Sequence, residues 1–230
     1  MSSRVTSRAP SAHTKNQIKA AAQTLFARQA IDGVTVQQIV AAAGQRNNAA
    51  LHYHFGSKEE LIRQLVVDGA QVLESRRQGM LQDINARGGP SSIREIILVL
   101  VMPVVELSND ERWNGYIRFT SNLQASNPEK LRAALNSRWN ASYVKCFAYL
   151  KQMLPLPPAI VEQRLSIFAI YANAILSARE AAIEMRRSKG SRLWDKKFTT
   201  ENILDTLEAT LTVAPSPPTI EALKQSADNS

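Results

Sequence analysis

The sequence predicts an all-α protein of about nine helices: an N-terminal three-helix helix-turn-helix domain, then a larger helical domain. Three observations predict it. Apolar residues recur at helical spacing along most of the 230 residues, and no alternating run of useful length marks a strand. Helix formers such as Ala, Leu, Gln and Glu are common, while only 9 residues are Gly. Residues 33 to 61, GVTVQQIVAAAGQRNNAALHYHFGSKEEL, read as two short helices joined by a tight turn, then a third helix opened by a serine cap.

Each element has its own local reason. Residues 1–12 are rich in Ser, Arg and Pro without periodicity and are expected to form a disordered arm. Arg4 and Arg8 of that arm are candidates for phosphate contact, although a plain solvated tail is the simpler reading. From Thr14, Ile18, Ala22, Leu25 and Phe26 form one buried stripe, and the helix ends before Gly33. Thr35 with Gln38 makes a capping box for the second helix, whose inner face is Val36, Ile39, Val40 and Ala43. Gly44 stops it. Asn47 or Asn48 caps the third helix, which runs through AALHYHF to Gly56. Ser57 with Glu60 opens a fourth that reaches about residue 85, where ARGGPSS breaks the chain. Further helices are expected over about 92–107, 111–125, 127–153, 159–187 and 200–213, with LPLPP and SKGSRLWDKK as breaks. The domain reading is a head over 13–60, a helical effector-binding and dimerisation domain over 61–213, and a loose tail over 214–230.

The net charge of +8 suits a polyanionic partner. Cys146 is the only cysteine, so no internal disulfide can form, and its apolar neighbours suit an inert packing thiol. No apolar run opens the chain, and the most apolar stretch, 96–107, is far below the roughly 20 residues that span a bilayer. A cytoplasmic protein with no membrane partner is therefore expected. The chain has no Gly-rich phosphate loop, metal-ligand spacing or Ser–His–Asp arrangement. His52 and His54 are two apart and do not share a helix face. An enzyme is not expected, nor a cofactor or metal.

The motif instead points to double-stranded DNA. In a helix-turn-helix the first helix braces the second, whose N-terminal half presents side chains to base edges. Gln37 on the bracing helix and Arg46, Asn47, Asn48, Ala49 and His52 around the reading helix are the exposed candidates. Asn and Gln suit adenine, Arg suits guanine, and Ala can touch a thymine methyl. Tyr53, His54 and Lys58 are suited to phosphate, Lys58 also lying in the first turn of the fourth helix.

The segment AAAGQRNNAALHYHFGSKEEL, together with Thr35 and Ile39, resembles the DNA-binding region of the tetracycline-repressor (TetR) family of bacterial transcriptional regulators. Ala43, Gly44, Leu51, Tyr53, His54, Phe55, Ser57, Lys58 and Leu61 complete the match over about 30 residues. The resemblance implies base contacts at Gln37 and Asn48, and phosphate contacts at Thr35, His54 and Lys58. Two departures stand out. The turn after Gly44 reads one residue longer, with Gln45 and Arg46 where one apolar residue is usual, and His52 replaces the usual Tyr.

The resemblance also implies a ligand-binding and dimerisation domain behind the head. Residues 159–185 are apolar around most of the helix, so one side is expected against a second subunit. Ala172, Ile175, Arg179 and Ala182, with Ile203, Leu207 and Leu211 of the last helix, are the candidate homodimer interface. Pro103 lies inside an apolar helix and is expected to bend it, leaving space for a small molecule. Trp113, Phe119, Trp139, Tyr143, Phe147, Phe168 and Tyr171 are the candidate aromatic lining, and Glu106, Arg118, Asn122 and Asn173 the candidate polar groups. That composition favours an apolar or aromatic effector over a strongly anionic one. The expected function is a ligand-responsive regulator: a repressor that binds a palindromic operator as a dimer and is released by its effector. An activator of the same fold, or a sequence-nonspecific DNA-binding protein, are the alternatives.

Overall fold

A computed structural model describes residues 8–189, 194 and 196–228. Among them are eleven α-helices, two 3-10 turns and no strand. α1 (Arg8–Arg28), a 3-10 turn (Ile31–Gly33), α2 (Val36–Ala42) and α3 (Ala49–Phe55) form the head. α4 (Lys58–Ala86) leaves it and enters the body with α5 (Ile93–Asn109), α6 (Tyr116–Ser126), α7 (Pro128–Leu135), α8 (Ala141–Met153), α9 (Pro158–Lys189), α10 (Lys197–Thr212) and α11 (Pro217–Asp228).

The local signals explain most boundaries. Thr35 and Gln38 form the expected reciprocal capping box at α2. Gly44 takes φ +69° after α2, and the amides of Gly44 and Gln45 donate to the carbonyls of Ala41 and Val40, each at 3.0 Å. That double bond is the Schellman arrangement, which needs a left-handed residue where Gly44 stands. Ser57 caps α4 through the Glu60 amide at 3.1 Å. The Glu60 side chain does not return the bond; it takes Arg63 and Gln64 instead, and those bonds hold its carboxyl down at about 2.

Four expectations need correction. α1 begins at Arg8, so part of the segment assigned to the arm is helical, and residues 1–7 lie outside the described residues. The helix expected over 127–153 is two, because Asn136 and Ser137 take φ +46° and +54° between α7 and α8. The tail assigned to 214–230 contains α11. The helix expected from 111 starts at Tyr116, after a 3-10 turn (Glu111–Trp113) and Gly115 at φ +84°. Of the SKGSRLWDKK stretch expected as a loop, residues 188 and 189 belong to α9 and 197 to α10, while 190–193 and 195 lie outside the described residues.

One core runs from head to body. Ile18, Ala22, Phe26, Ile39 and Leu51 are fully buried in the head and continue into Leu61, Ile96, Phe119 and Leu207. α1 packs on α6 as well as on α2. The Phe26 and Phe119 rings stack with centroids 5.6 Å apart, Asn122 Nδ2 donates to the Phe26 carbonyl at 2.9 Å, and Gln23 Nε2 to the Asn114 carbonyl at 2.9 Å. α4, α5 and α8 form the centre of the body, and α9 packs on α6, α8 and α10. Tyr116 lies flat against α4: a Cβ on Gly69 would come within 2.2 Å of its ring, so Gly is required there by close approach.

Candidate nucleic-acid interface

The head places its apolar residues inward and its polar candidates outward. Leu51 and Phe55 of α3 are buried in one cluster with Ile39 and Val40 of α2 and with Ala43 at its end. Gln37, Arg46, Asn47, Asn48, Ala49, His52 and Tyr53 are all exposed, Tyr53 at 81%. A large aromatic held that far into solvent, over a rigid core, is placed for a partner surface.

The turn between α2 and α3 is built, not loose. Gln45 is half-buried and its amide donates to Gln17 Oε1 on α1 at 3.3 Å. The lengthened turn is thus pinned back to the head, and Arg46 projects from it. Asn47 Oδ1 accepts the Ala49 amide at 2.9 Å, so Asn47 supplies the side-chain bond at the start of α3 while Asn48 makes none. The Asn48 amide group is left free of that task, as a base-reading group must be.

His52 Nδ1 donates to the Gly56 carbonyl at 2.9 Å, which fixes the ring across the end of α3. His54 is half-buried, edge-on to Tyr53 at 5.0 Å and to Phe55 at 6.3 Å. Thr35 is exposed at the start of α2, its hydroxyl engaged in the capping box. Lys58 departs most from expectation. Its ammonium donates to the Ile31 carbonyl at 2.7 Å and lies 5.8 Å from the Phe26 ring centroid, tying the 3-10 turn to α4. Lys15 went unnoticed in the sequence reading: its ammonium lies 5.4 Å from the Phe55 ring centroid, beside the end of α3. Its position three residues before Ile18, on the same stripe, was the available signal.

The effector candidates of the body do not come together in one pocket. Phe119 and Trp113 gather with Tyr116 at the α1–α6 junction, and Tyr143, Phe147 and Phe168 form a second group between α8 and α9. Trp139 precedes α8 and carries Arg138 over its ring at 4.4 Å, so it does not continue the Tyr143–Phe147 face. Four polar candidates are already engaged. Glu106 pairs with Arg76, Arg118 with Glu180 and Glu184, Asn122 with Phe26, and Asn173 with Ser121. Tyr171 bonds Thr206, and Pro103 is buried within an unbroken α5. Cys146 is buried as expected, and burial pushes its thiol up to about 11.

The dimer candidates are also redistributed. Ile203, Leu207, Leu211 and Arg179 are buried within their own chain, at 5% exposure or less, so none of them can meet a second subunit. Ala172, Ile175 and Ala182 are half-buried. The exposed apolar side of α9 is a different stripe, Ile167, Ile170, Ala174, Ala178 and Met185. By length and composition alone, Pro158–Met185 is long and apolar enough to cross a membrane, and 28% of its most apolar 18 residues is buried in the chain. Its charged residues are nevertheless tied into the bundle, Arg164 to α10, Arg179 to α5, and Glu180 and Glu184 to α6.

A polar-faced second helix braced by a capped partner, over a core shared with a helical body, is the arrangement of a helix-turn-helix head. Residues 18–65 match the family model of the bacterial regulatory proteins of the tetR family. No curated protein matches it in sequence. Among solved structures, the chain is similar to a superantigen, PfiT, at 16% identity and TM-score 0.47, over 87% of this chain and 97% of that one. It is also similar to a candidate TetR-family transcriptional regulator from Mesorhizobium loti, at 19% identity and TM-score 0.46, over 87% of this chain and 96% of that one.

Proposed function

We propose that this regulator is a cytoplasmic repressor that binds a near-palindromic operator as a homodimer and is released by a small effector with an apolar or aromatic body. The observation that carries the DNA reading is the outward row Gln37, Arg46, Asn48 and His52 on a head whose Ile18, Phe26, Ile39, Val40, Leu51 and Phe55 are turned inward. Arg46, Asn47, Asn48, Ala49 and His52 read bases beside Gln37, while Thr35, Tyr53, His54 and Lys58 position the backbone. The apolar stripe of α9 supports the dimer, and a two-fold pair suits half-sites about 34 Å apart. The effector lowers DNA affinity by the difference in its own affinity for the two forms of the dimer, and by no more. Both routes from body to head, α4 and the α1–α6 contact, are available to carry that change.

The test is a comparison of DNA targets at one salt concentration. An inverted repeat from the DNA flanking the chain's own gene should bind about 10³-fold more tightly than random duplex. Equal affinity for both would replace the repressor with a sequence-nonspecific DNA-binding protein.

A further inference from the structure

The second half of α1 meets the body mainly through α6 and the turn before it. The Phe26–Phe119 stack, the Asn122 bond to the Phe26 carbonyl and the Gln23 bond to the Asn114 carbonyl all lie there. Nearer the middle of α1, Lys19 Nζ stands 2.5 Å from Asp68 Oδ2 of α4. One contact passes beyond both elements. Arg28, the last residue of α1, pairs through Nη2 with Oε1 of Glu184, near the end of α9.

Glu184 is held ready for that pairing. Its other oxygen, Oε2, takes Nη2 of Arg118 on α6, and Arg118 Nε lies 3.1 Å from Oε2 of Glu180. Glu180 is buried at 1% exposure and accepts the Ile117 and Arg118 amides, so it cannot move without uncapping α6. Two carboxylates of α9 thus face one guanidinium of α6. The body keeps one negative charge in excess at this corner, and the head supplies the cation that balances it. Glu184 is largely covered whereas Arg28 is largely exposed, so the fixed partner is the acid and the arriving partner is the arginine. A pair this exposed on one side adds little stability. Its consequence lies in what it joins.

α9 also carries the exposed stripe of Ile167, Ile170, Ala174, Ala178 and Met185. Glu184 stands beside the last residue of that stripe and about 21 Å along the helix from Ile170. The helix that offers a face to a second subunit therefore grips the head directly, with no element between.

We infer that Arg28 and Glu184 are positioning residues: a clasp that fixes each head against α9, and so sets the separation of the two heads, in the operator-binding dimer proposed above, on which reading it rests. Heads clasped to two copies of one helix are spaced before DNA arrives, and a matching operator binds without the cost of ordering them. Unclasped heads accept several half-site spacings, each more weakly.

The experiment uses the full chain and four duplexes. They are the inverted repeat from the DNA flanking its gene, that repeat with one or two base pairs added between its halves, and a single half-site. One added base pair separates the halves by about 3.4 Å and turns them by about 35°. Wild type should bind the lengthened repeats about tenfold or more weakly than the native one. Arg28→Ala and Glu184→Gln should each weaken the native repeat about fivefold and cut the spacing penalty to about twofold. Half-site affinity and the dimer in sedimentation should not change. Arg28→Lys keeps the charge and should keep the wild-type profile. Combining Arg28→Ala with Glu184→Gln should add nothing to either alone, because both act through one bond. Arg28 is exposed, so its substitution tests the clasp even where Glu184→Gln lowers stability.

A wild type that tolerates every spacing, a penalty that survives both substitutions, or a shift to monomer would overturn the clasp. So would a half-site affinity that falls as far as the rest, which would make Arg28 a phosphate contact instead. A wild type that binds the repeat no better than random duplex refutes the regulator reading, and the clasp with it. One that prefers the repeat and ignores both substitutions refutes the clasp alone.

Discussion

His52 illustrates how one contact sets what a side chain offers a base. A carbonyl only accepts, so the bond to Gly56 requires the proton on Nδ1 and leaves Nε2 of the neutral ring as an acceptor. An acceptor there suits the exocyclic amine of adenine or cytosine. Asn48, with no capping duty, is the stronger candidate for base contact under the proposed function. Asn48→Ala should cost about 1–3 kcal/mol against the preferred operator and little against variants at that base pair, read by gel shift across a set of single-base operator changes. The DNA-binding proposal gives Lys58 a phosphate contact besides its bond to the Ile31 carbonyl, and one substitution separates the two. Lys58→Ala leaves the Ile31 carbonyl unpaired and should lower head stability by about 1 kcal/mol. Loss of a phosphate contact should also reduce the salt slope of DNA binding by about one. A lowered melting temperature with an unchanged slope would assign Lys58 to packing alone.

Among the elements, those with local stop and start chemistry were legible in the sequence. Thr35 with Gln38, Gly44, Ser57 and the Gly88–Gly89 pair act through neighbours three to five residues away, so a linear reading finds them. The break at Asn136 and Ser137 was missed because neither residue is Gly or Pro, although Asn136 ends α7 in the left-handed conformation that asparagine tolerates. Gly44→Ala tests the clearest stop. Nothing lies within 4 Å of a Cβ there, so only the left-handed backbone penalises the change, by about 1 kcal/mol in denaturant unfolding. The junction of α1, α6 and α9 was not legible, because it joins residues far apart in the chain. Glu180 accepts the Ile117 and Arg118 amides at 3.2 and 3.0 Å, capping α6 from α9, while Glu184 holds Arg118 and, from α1, Arg28. Burial raises the Glu184 carboxyl, but Arg28 and Arg118 outweigh it and hold it below its ordinary range. A depressed folded value contributes stability above the ordinary carboxylate range, lost as pH falls through the depressed one. The melting-temperature gap between wild type and Glu184→Gln should therefore be full near pH 6 and shrink towards about pH 3. A gap that stays constant across that window would exclude the charge as its source.

Across the whole molecule, the sequence distinguished buried stripes from exposed ones but not own core from partner core. The α10 stripe has the same period whether it faces α5 and α9 or a second subunit, and the chain uses Ile203, Leu207 and Leu211 for itself. α9 read as apolar all round, and the fold covers one side of it only. What remains uncovered includes Ile170 at 72% exposure and Ile167 at 48%, above small Ala174 and Ala178. A two-fold interface brings the same patch of both subunits together, so a charge placed at its middle is buried twice and opposed by its own copy. Ile170→Glu should leave the monomer's unfolding nearly unchanged, since the side chain supports nothing inside its own chain. It should convert the dimer to monomer in sedimentation, and reduce affinity for a full operator to that for a half-site. A dimer that survives the substitution would move the interface off α9. A monomeric wild type that still prefers its operator would remove the requirement for two heads.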